Sequence, residues 1–363
     1  MISLIPRFLK GIYWPIVFLA VLLSAVGLIA IYSATFRGGA DYASKQFLWC
    51  LIGLGVFLLT VSIGYRSFLN LSYLFYIATI PLLLWVLFLS EARSGAQRWI
   101  MIGSFAVQPS EFSKIATILM LANFLSGRSA IQRQKRTLIA ALILVGFPAI
   151  LVLKQPDLGS ALVFMPVLIA MLFLWGVRIR YLIFLFLSTV ASMPFLWHLL
   201  KPYQQKRLLV FLHPSIDPVG ASYTAIQSKI AVGSGGLLGK GWLQGTQTQL
   251  DFVPEHHTDF IFSVLGEEFG FLGAFFLLLL FGLLIAYAFR VLEHTTDLRA
   301  RLLALGIAAA FSFQILVNIG MTIGLAPITG LPLPFISYGG SALVANFFAF
   351  GLLASIYKQR SIF

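Results

Sequence analysis

The chain alternates long apolar runs with polar loops, most of them short. Apolar runs of about 20 residues cross a bilayer as helices. The pattern predicts ten such helices, and therefore an all-α polytopic membrane protein. The predicted spans are 14–34, 46–64, 69–90, 109–126, 137–153, 158–176, 180–200, 260–289, 301–324 and 338–357. The loop between the seventh and eighth spans, residues 201–259, is the longest, and we expect residues 1–363 to form a single transmembrane domain.

Basic side chains divide unevenly between the two sides of the predicted membrane. One side, which includes both termini, carries Arg7, Lys10, Arg66, Arg128, Arg133, Lys135, Arg136, Arg178, Arg180, Arg290, Arg299, Arg301, Lys358 and Arg360. The short loops of the other side carry only Arg37, Lys45, Arg93, Arg98 and Lys154. Because Lys and Arg concentrate in cytoplasmic loops, both termini are predicted to be cytoplasmic and the large loop extracytoplasmic.

Composition agrees with a membrane protein. Hydrophobic residues make up 60% of the chain and charged residues 10%, against roughly 25% charged residues in soluble domains. The net charge of +13 follows from the cytoplasmic loops and suits anionic lipid headgroups, so it does not indicate a nucleic-acid partner. The single Cys50 excludes an internal disulfide and a metal site of several thiolates.

Acidic residues show the opposite distribution. Only Glu293 and Asp297 fall in predicted cytoplasmic loops, so we expect the polar chemistry on the outer face. Within the large loop, the stretch "VGASYTAIQSKIAVGSG" has helical spacing and is predicted to lie along the membrane surface. The glycine-rich run after it is interpreted as a flexible turn. It is not a nucleotide-binding loop, because Gly241 stands where Ser or Thr is needed.

A cluster of ionisable residues precedes the eighth span, in "LDFVPEHHTDFIFSVLGEEFG". We expect Pro254 or Thr258 to start the helix and Asp259 to lie in its first turn. The helix dipole would keep that carboxylate ionised and able to accept a proton. A purely structural role at the helix start is equally compatible with the residues. A divalent cation, Mg²⁺ or Mn²⁺, bound by Asp251, Glu255 and Asp259, also stays open.

Three further polar segments face the same side. Glu111 and Lys114 lie three apart on one helical face, a spacing that allows direct pairing, either for packing or for chemistry. Arg98 and Trp99 precede them, and their side chains suit an anionic phosphate and a sugar or lipid face, or an interfacial anchor. The other two segments are a tight turn with Lys154 and Asp157, and the irregular "ITGLPLPFISYGGSA". One outward-open cleft would unite these segments.

Five motifs resemble, in order and spacing, the SEDS family of shape, elongation, division and sporulation proteins. They are "GAQRWI", "QPSEFSKIA", "KQPDLGSAL", "PEHHTDFIFSVLGEEFG" and "LPLPFISYGGSA". The resemblance is closer to the elongation branch than to the division branch. It implies a peptidoglycan glycosyltransferase that polymerises lipid II into β-1,4 glycan strands at the outer face of the bacterial inner membrane during elongation. It also implies a class B penicillin-binding protein (a transpeptidase) and other elongation-complex membrane proteins as partners, and no nucleotide.

The resemblance places the family's essential aspartate on Asp259, which we expect to be the general base. Supporting roles follow as hypotheses. The leaving pyrophosphate would be stabilised by Arg98, Lys114, Lys154 or a cation, with Glu111 orienting Lys114. Asp251 and Glu255 would hold the cation or the acceptor. The remaining candidate substrate-binding or supporting residues are Trp99, Gln108, Asp157, His257 and Thr258, whereas His256 is expected to tolerate substitution.

Two other functions remain open. A lipid II flippase would use the intramembrane Glu111 and Lys114 to move an anionic headgroup. A scaffold would hold the transpeptidase without chemistry of its own. The crowding of ionisable residues on one side favours the enzyme, because a transport path would continue into the cytoplasmic half.

Overall fold

The computed structural model describes residues 11–37, 41–89, 98–103, 105–128, 134–200, 202–213, 217, 220 and 222–359. Within these residues the helices are α1 (Trp14–Thr35), α2 (Tyr42–Ile63), α3 (Tyr65–Asn70), α4 (Ser72–Leu89), α5 (Pro109–Ser126), α6 (Gln134–Lys154), α7 (Leu158–Trp175), α8 (Ile179–Leu199), α9 (Pro202–Leu212), α10 (Tyr223–Ser234), α11 (Thr246–Gln249), α12 (Ile261–Glu293), α13 (Leu298–Ile323) and α14 (Gly340–Gln359). The strands are β1 (Ile100–Ile102) and β2 (Phe105–Val107). The predicted cytoplasmic termini, residues 1–10 and 360–363, lie outside the described residues, as do Arg93 and Arg133.

Every predicted span corresponds to a long helix, which confirms the all-α polytopic membrane fold. Among the described residues, eight helices are long and apolar enough to cross a membrane: α1, α2, α4, α6, α7, α12, α13 and α14. That α5 and α8 also cross stays a prediction. The lower hydropathy of α5 has a clear origin, because this largely buried helix carries the charged Glu111 and Lys114.

The centre of the bundle is formed by α5, α13 and α14. Helix α13 packs against α5, α7 and α12, and α14 packs against α2. Glycines allow the close approach of α2 and α14, since a Cβ at Gly53 would collide with the Phe347 ring and one at Gly351 with Thr60. Small residues commonly set such helix separations in membranes, where apolar surface alone gives little drive for association.

A short hairpin precedes α5, which the sequence did not predict. Strands β1 and β2 pair antiparallel, with Ile100 opposite Val107. The first turn of α14 holds this hairpin in place. Ser341 Oγ donates to the Ala106 carbonyl at 3.2 Å and accepts from the Gln108 amide at 3.0 Å. The hairpin thereby fixes the position of Arg98 relative to the start of α5.

The glycine-rich run of the large loop forms a turn, as the sequence predicted, but backbone hydrogen bonds fix this turn against α12. Helix α12 breaks at Gly270, whose φ of 63° and ψ of −158° are not helical. The amides of Lys240 and Gly241 donate to the carbonyls of Glu267 and Glu268 at 3.0 Å each. On the other side of the break, the amides of residues 271 and 272 donate to the carbonyls of residues 236 and 237. The loop thus satisfies backbone groups that the kink leaves free, as hydrocarbon surroundings require.

The helix predicted at the membrane surface is present as α10, but it packs into the bundle. It contacts α12 and α13, and Ser228 Oγ donates to the Thr322 carbonyl of α13 at 2.9 Å. The large loop is therefore anchored at several points around the N-terminal end of α12.

Candidate active site

Asp259 lies in a tight turn just before α12. The helix begins at Ile261 with Phe260 as its N-cap, which makes no side-chain cap. The expectation that Pro254 or Thr258 starts the helix is therefore wrong, and Asp259 stands immediately ahead of the first helical turn. Its side chain is half-buried. Among the described residues, no hydrogen bond ends on its carboxylate, so both oxygens can accept from a ligand.

Four charged groups set the electrostatics of this carboxylate. Burial, followed by the neighbouring Glu255 carboxylate, raises the pKa of Asp259 from 3.8 to about 6. Arg207 and Arg98 act in the opposite direction, while Asp157 raises the pKa slightly. A carboxyl group with a pKa near the working pH is well matched to accept a proton in a reaction.

Gly330 keeps the space between the acid and the Arg98 guanidinium open. A Cβ on this residue would lie 3.4 Å from Asp259 Oδ2 and 3.6 Å from Arg98 Nη1. Its φ of 75° is also in the region that favours glycine. The "ITGLPLPF" segment therefore lines the site, as the sequence predicted for irregular backbone at this depth.

Arg98, Gln108 and Asp157 come together beside Asp259. Asp157 accepts from the Ser160 amide at 3.1 Å, which caps α7, and from Gln108 Nε2 at 3.2 Å. Arg98 donates to the Pro156 carbonyl and lies 3.9 Å from Asp157 Oδ1. Its buried Nε has no hydrogen-bond partner among the described residues. The guanidinium is thus held on one side and retains a donor for an anionic ligand.

Arg207 of α9 is a site residue that sequence reasoning missed. It lines one small cavity together with Arg98, Gln204 and Thr329, and it is the positive group with the largest effect on Asp259. No sequence signal singled it out, because the large loop holds four other basic residues, Lys201, Lys206, Lys229 and Lys240. Two guanidinium groups therefore face the region around Asp259.

Other predicted residues lie around the turn or away from it. Thr258 Oγ1 donates to Glu255 Oε2 at 3.2 Å. The His257 ring stacks on Tyr42 with centroids 4.8 Å apart, and burial, helped by the neighbouring His256, lowers its pKa. Trp99 is half-buried ahead of β1, and Lys154 is exposed at the end of α6.

His256 was expected to tolerate substitution, but its surroundings are constrained. The side chain is buried, and its two ring nitrogens face the carbonyls of Val253 and Ala34 at 2.7 Å each. It ties the Asp259 turn to the end of α1.

The three carboxylates proposed for a cation do not form a closed metal site. No group of three or more His, Cys, Asp or Glu side chains suited to a metal occurs in the described part of the chain. The Asp251 side chain is 78% exposed and lies 3.7 Å from His256 Nε2. A cation here would have to take most of its ligands from a bound molecule or water.

Glu111 and Lys114 pair directly, as their spacing predicted. Lys114 Nζ lies 2.8 Å from Glu111 Oε1, and both side chains are buried. The pair borders a small cavity with Gln314 and Asn346, between α5, α13 and α14. Gln108, the N-cap residue of this helix, connects it to Asp157.

Comparisons with known proteins agree with this architecture. The model of cell cycle proteins of the FtsW, RodA and SpoVE family matches residues 13–362. The peptidoglycan glycosyltransferase MrdB of Escherichia coli (strain K12) is 41% identical over 312 residues, which cover 86% of this chain and 84% of MrdB.

Two solved structures share the fold. A chain of a peptidoglycan synthase complex that coordinates polymerization and crosslinking is 35% identical with a TM-score of 0.83, over 97% of this chain and 99% of that one. The rod shape determining protein RodA of Thermus thermophilus is 31% identical with a TM-score of 0.72, over 98% and 99% of the two chains. The chain therefore belongs to the FtsW/RodA/SpoVE family of cell cycle proteins, the SEDS family that its motifs resemble, close to RodA.

Proposed function

We propose that this protein is a peptidoglycan glycosyltransferase that polymerises lipid II, with Asp259 as the general base. The observation that carries the proposal is the state of Asp259: its carboxylate accepts no hydrogen bond from the described residues, it has a pKa of about 6, and two arginines face it. The activity named for MrdB supports the reaction class. The charge distribution supports an active site on the outer face of the inner membrane. The likeness to the rod shape determining protein RodA supports a role in cell elongation.

The reaction needs one base and one leaving group. Asp259 takes the proton of the 4-hydroxyl of the acceptor GlcNAc, and that oxygen attacks the anomeric carbon of the donor MurNAc. The bond from that carbon to the phosphate oxygen breaks, and undecaprenyl pyrophosphate departs with the bonding electrons. Attack opposite the leaving group converts the α-linked donor into a β-1,4 linkage without a covalent enzyme intermediate.

Arg98 and Arg207 are suited to hold the leaving pyrophosphate. Guanidinium groups bind phosphate oxygens through paired donors, and fixed positive charge stabilises the negative charge that develops as the bond breaks. This assignment revises the sequence hypotheses, since Lys114 is engaged by Glu111 inside the bundle and Lys154 is exposed at the end of α6. Gln108 and Asp157 position Arg98.

A divalent cation, Mg²⁺ or Mn²⁺, remains a proposal. Mg²⁺ needs only one or two protein carboxylates when a substrate phosphate supplies other ligands. Glu255 and Asp259 are the stronger candidates, because the Glu255 carboxylate is close enough to raise the pKa of Asp259, whereas the Asp251 side chain is 78% exposed. When bound, the cation would add positive charge near the pyrophosphate.

The proposed partner is a class B penicillin-binding protein that cross-links the new strands. The similar chain from a peptidoglycan synthase complex, in which polymerization and crosslinking are coordinated, supports this expectation. Other elongation-complex membrane proteins are proposed partners on the strength of the family resemblance alone.

The test is polymerisation of labelled lipid II by the purified protein with its transpeptidase, wild type beside Asp259→Asn, with and without EDTA. We expect glycan strands from the wild type and a loss of about 10²–10⁴-fold in the variant, the usual contribution of a general base. Loss of wild-type activity with EDTA would establish the cation. Strands from Asp259→Asn at the wild-type rate would overturn the role of Asp259. Translocation of the lipid II headgroup in liposomes without polymer would favour a flippase. The absence of both activities while the complex stays intact would favour a scaffold.

A further inference from the structure

Three consecutive carbonyl groups of the catalytic turn are each held by a residue from far along the chain. The His257 carbonyl accepts from the Tyr338 amide at 3.0 Å, and the Thr258 carbonyl accepts from Ser337 Oγ at 2.6 Å. The Asp259 carbonyl accepts from Asn318 Nδ2 at 2.9 Å. Unlike carbonyls inside a helix, these three find their partners on α13 and on the loop before α14.

Asn318 joins the turn to the loop that lines the site. Its Nδ2 donates one hydrogen to the Asp259 carbonyl and the other to the Leu331 carbonyl, at 2.9 and 2.7 Å. The side chain is fully buried on α13. An amide nitrogen is suited to this position because it offers two donors to two acceptors without a charge.

The second clamp uses a hydroxyl in both of its roles. Ser337 Oγ accepts from the Leu333 amide at 2.8 Å and donates to the Thr258 carbonyl. The loop from 331 to 338 is thereby closed on itself and on the turn. Because Gly330 adjoins this loop and lies beside both Asp259 Oδ2 and Arg98 Nη1, the same bonds fix the distance between base and guanidinium.

We propose that Asn318 and Ser337 are positioning residues that hold the Asp259 carboxylate in its half-buried position relative to Arg98. This inference rests on the proposed function, and it concerns the placement of the base rather than contact with substrate. Without the two clamps the turn would be free to move toward water. A misplacement of the order of 1 Å at a reacting group can cost about 100-fold in rate.

Asn318→Asp is the sharpest variant, since it keeps the shape of the side chain. A carboxylate repels both carbonyls, and a protonated carboxyl group donates only one hydrogen, so at least one bond is lost. Ser337→Ala removes the hydroxyl, whereas Ser337→Thr retains it and serves as the conservative rescue. Ser355→Ala is the matched control, because Ser355 Oγ is equally buried and accepts from the Tyr65 amide, near the cytoplasmic end of α14.

The experiment measures kcat, KM for lipid II and the pH dependence of polymerisation for the protein with its transpeptidase, per amount of folded protein. For Asn318→Asp and Ser337→Ala we expect kcat to fall about 10–100-fold with little change in KM. For Ser337→Ala, which introduces no charge, we also expect the pH midpoint to fall, because a more hydrated Asp259 ionises more easily. Ser337→Thr should restore both quantities, and Ser355→Ala should change neither.

A lower thermal stability with an unchanged midpoint and unchanged kcat per folded molecule would overturn the inference and leave both residues purely structural. If Asn318→Asp does not fold, the Ser337 pair decides by the same criteria. Failure of the proposed function would appear differently, as an absence of polymer from the wild type itself.

Discussion

Two carboxylates at the N-terminal end of α12 show how the same chemical group can be made structural or reactive. Glu267 is fully buried, and both of its oxygens are occupied by donors from the large loop. Those donors are Lys240 Nζ at 2.7 Å, Thr246 Oγ1 at 3.3 Å, the Gln247 amide at 2.9 Å, the Thr248 amide at 3.1 Å and Thr248 Oγ1 at 2.9 Å. Asp259, only eight residues earlier, has its backbone held and, among the described residues, its carboxylate without a donor.

The contrast separates two ways of stabilising an acid near a membrane. A carboxylate with all of its acceptor sites filled is fixed as an ion and has no capacity left for a ligand. The second kind of acid has a hydrogen-bonded backbone carbonyl but no donors to its carboxylate oxygens. Burial then disfavours the charged form of the carboxylate, which raises its pKa and makes it suited to accept a proton. Filled acceptors therefore indicate an anchor, and unfilled acceptors beside fixed charges indicate a reactive group.

The largest expected effect is on stability, from Glu267→Ala. The substitution releases the donors of residues 240–248 and removes the anchor of α11. Several hydrogen bonds to a charged acceptor, each contributing about 1.5–3 kcal/mol, are lost, so the free energy of unfolding should fall by about 5 kcal/mol. Thermal unfolding of the purified protein measures the change, and Glu267→Gln, which keeps one acceptor oxygen, should lose less. If Glu267→Ala had normal stability but no polymerisation activity, the contrast between the two carboxylates would be wrong and Glu267 would be a reactive group.

Next in size is the effect of removing one partner of the buried pair in α5. Lys114→Met leaves Glu111 as an unpaired buried charge, which should cost about 3 kcal/mol of unfolding free energy. The double variant Glu111→Leu/Lys114→Met should recover most of that loss, because two apolar side chains can replace a buried ion pair at little cost. Thermal unfolding of Lys114→Met, Glu111→Leu and the double variant gives the coupling free energy between the two side chains. Recovered stability without recovered polymerisation would assign chemistry to the pair as well.

The long helices could be predicted from sequence, whereas their breaks and attachments could not. Apolar runs are a strong signal, since every backbone group in hydrocarbon must be satisfied within a helix. The break at Gly270 carries no comparable signal, because its hydrogen bonds come from residues 236–241, some 30 positions earlier. The β1–β2 hairpin escaped for a similar reason: it is short and is held by Ser341 of α14.

The site shows the same division. Asp259 stood out because it lies at the junction of a loop and a span, and the resemblance strengthened the choice. Sequence alone left a structural role for Asp259 equally open, since its difference from Glu267 lies in which donors reach each carboxylate. Arg207 and Asn318 were missed because their proximity to Asp259 depends on how the large loop and α13 pack.

The smallest expected effect concerns the pH dependence of polymerisation, and it tests the electrostatic half of the comparison. Asp259 must be ionised to act as a base, so the rate of polymerisation should rise with pH through a midpoint near 6 and level off above it. Stability should follow the opposite direction. Because the folded-state pKa is raised, the contribution of this group is present below 3.8 and is lost as pH rises through about 6. Asp259→Asn should therefore be at least as stable as the wild type above pH 6.

Arg207→Gln should move that midpoint upward. The Arg207 guanidinium favours the ionised carboxylate, so its removal should shift the midpoint by roughly half a pH unit to the alkaline side, within the range of effects of nearby charges. Lys206→Gln is the matched control on the same helix, because Lys206 pairs with Asp217 at 2.6 Å and is mostly exposed. Rates of lipid II polymerisation between pH 5 and 8, the window around the Asp259 pKa of about 6, measure both variants. An equal shift of the midpoint in both variants would mean that the arginine acts only through the net charge of the protein. A shift in Arg207→Gln alone would show that its charge acts locally on the Asp259 carboxylate, whose oxygens, unlike those of Glu267, are not filled by donors.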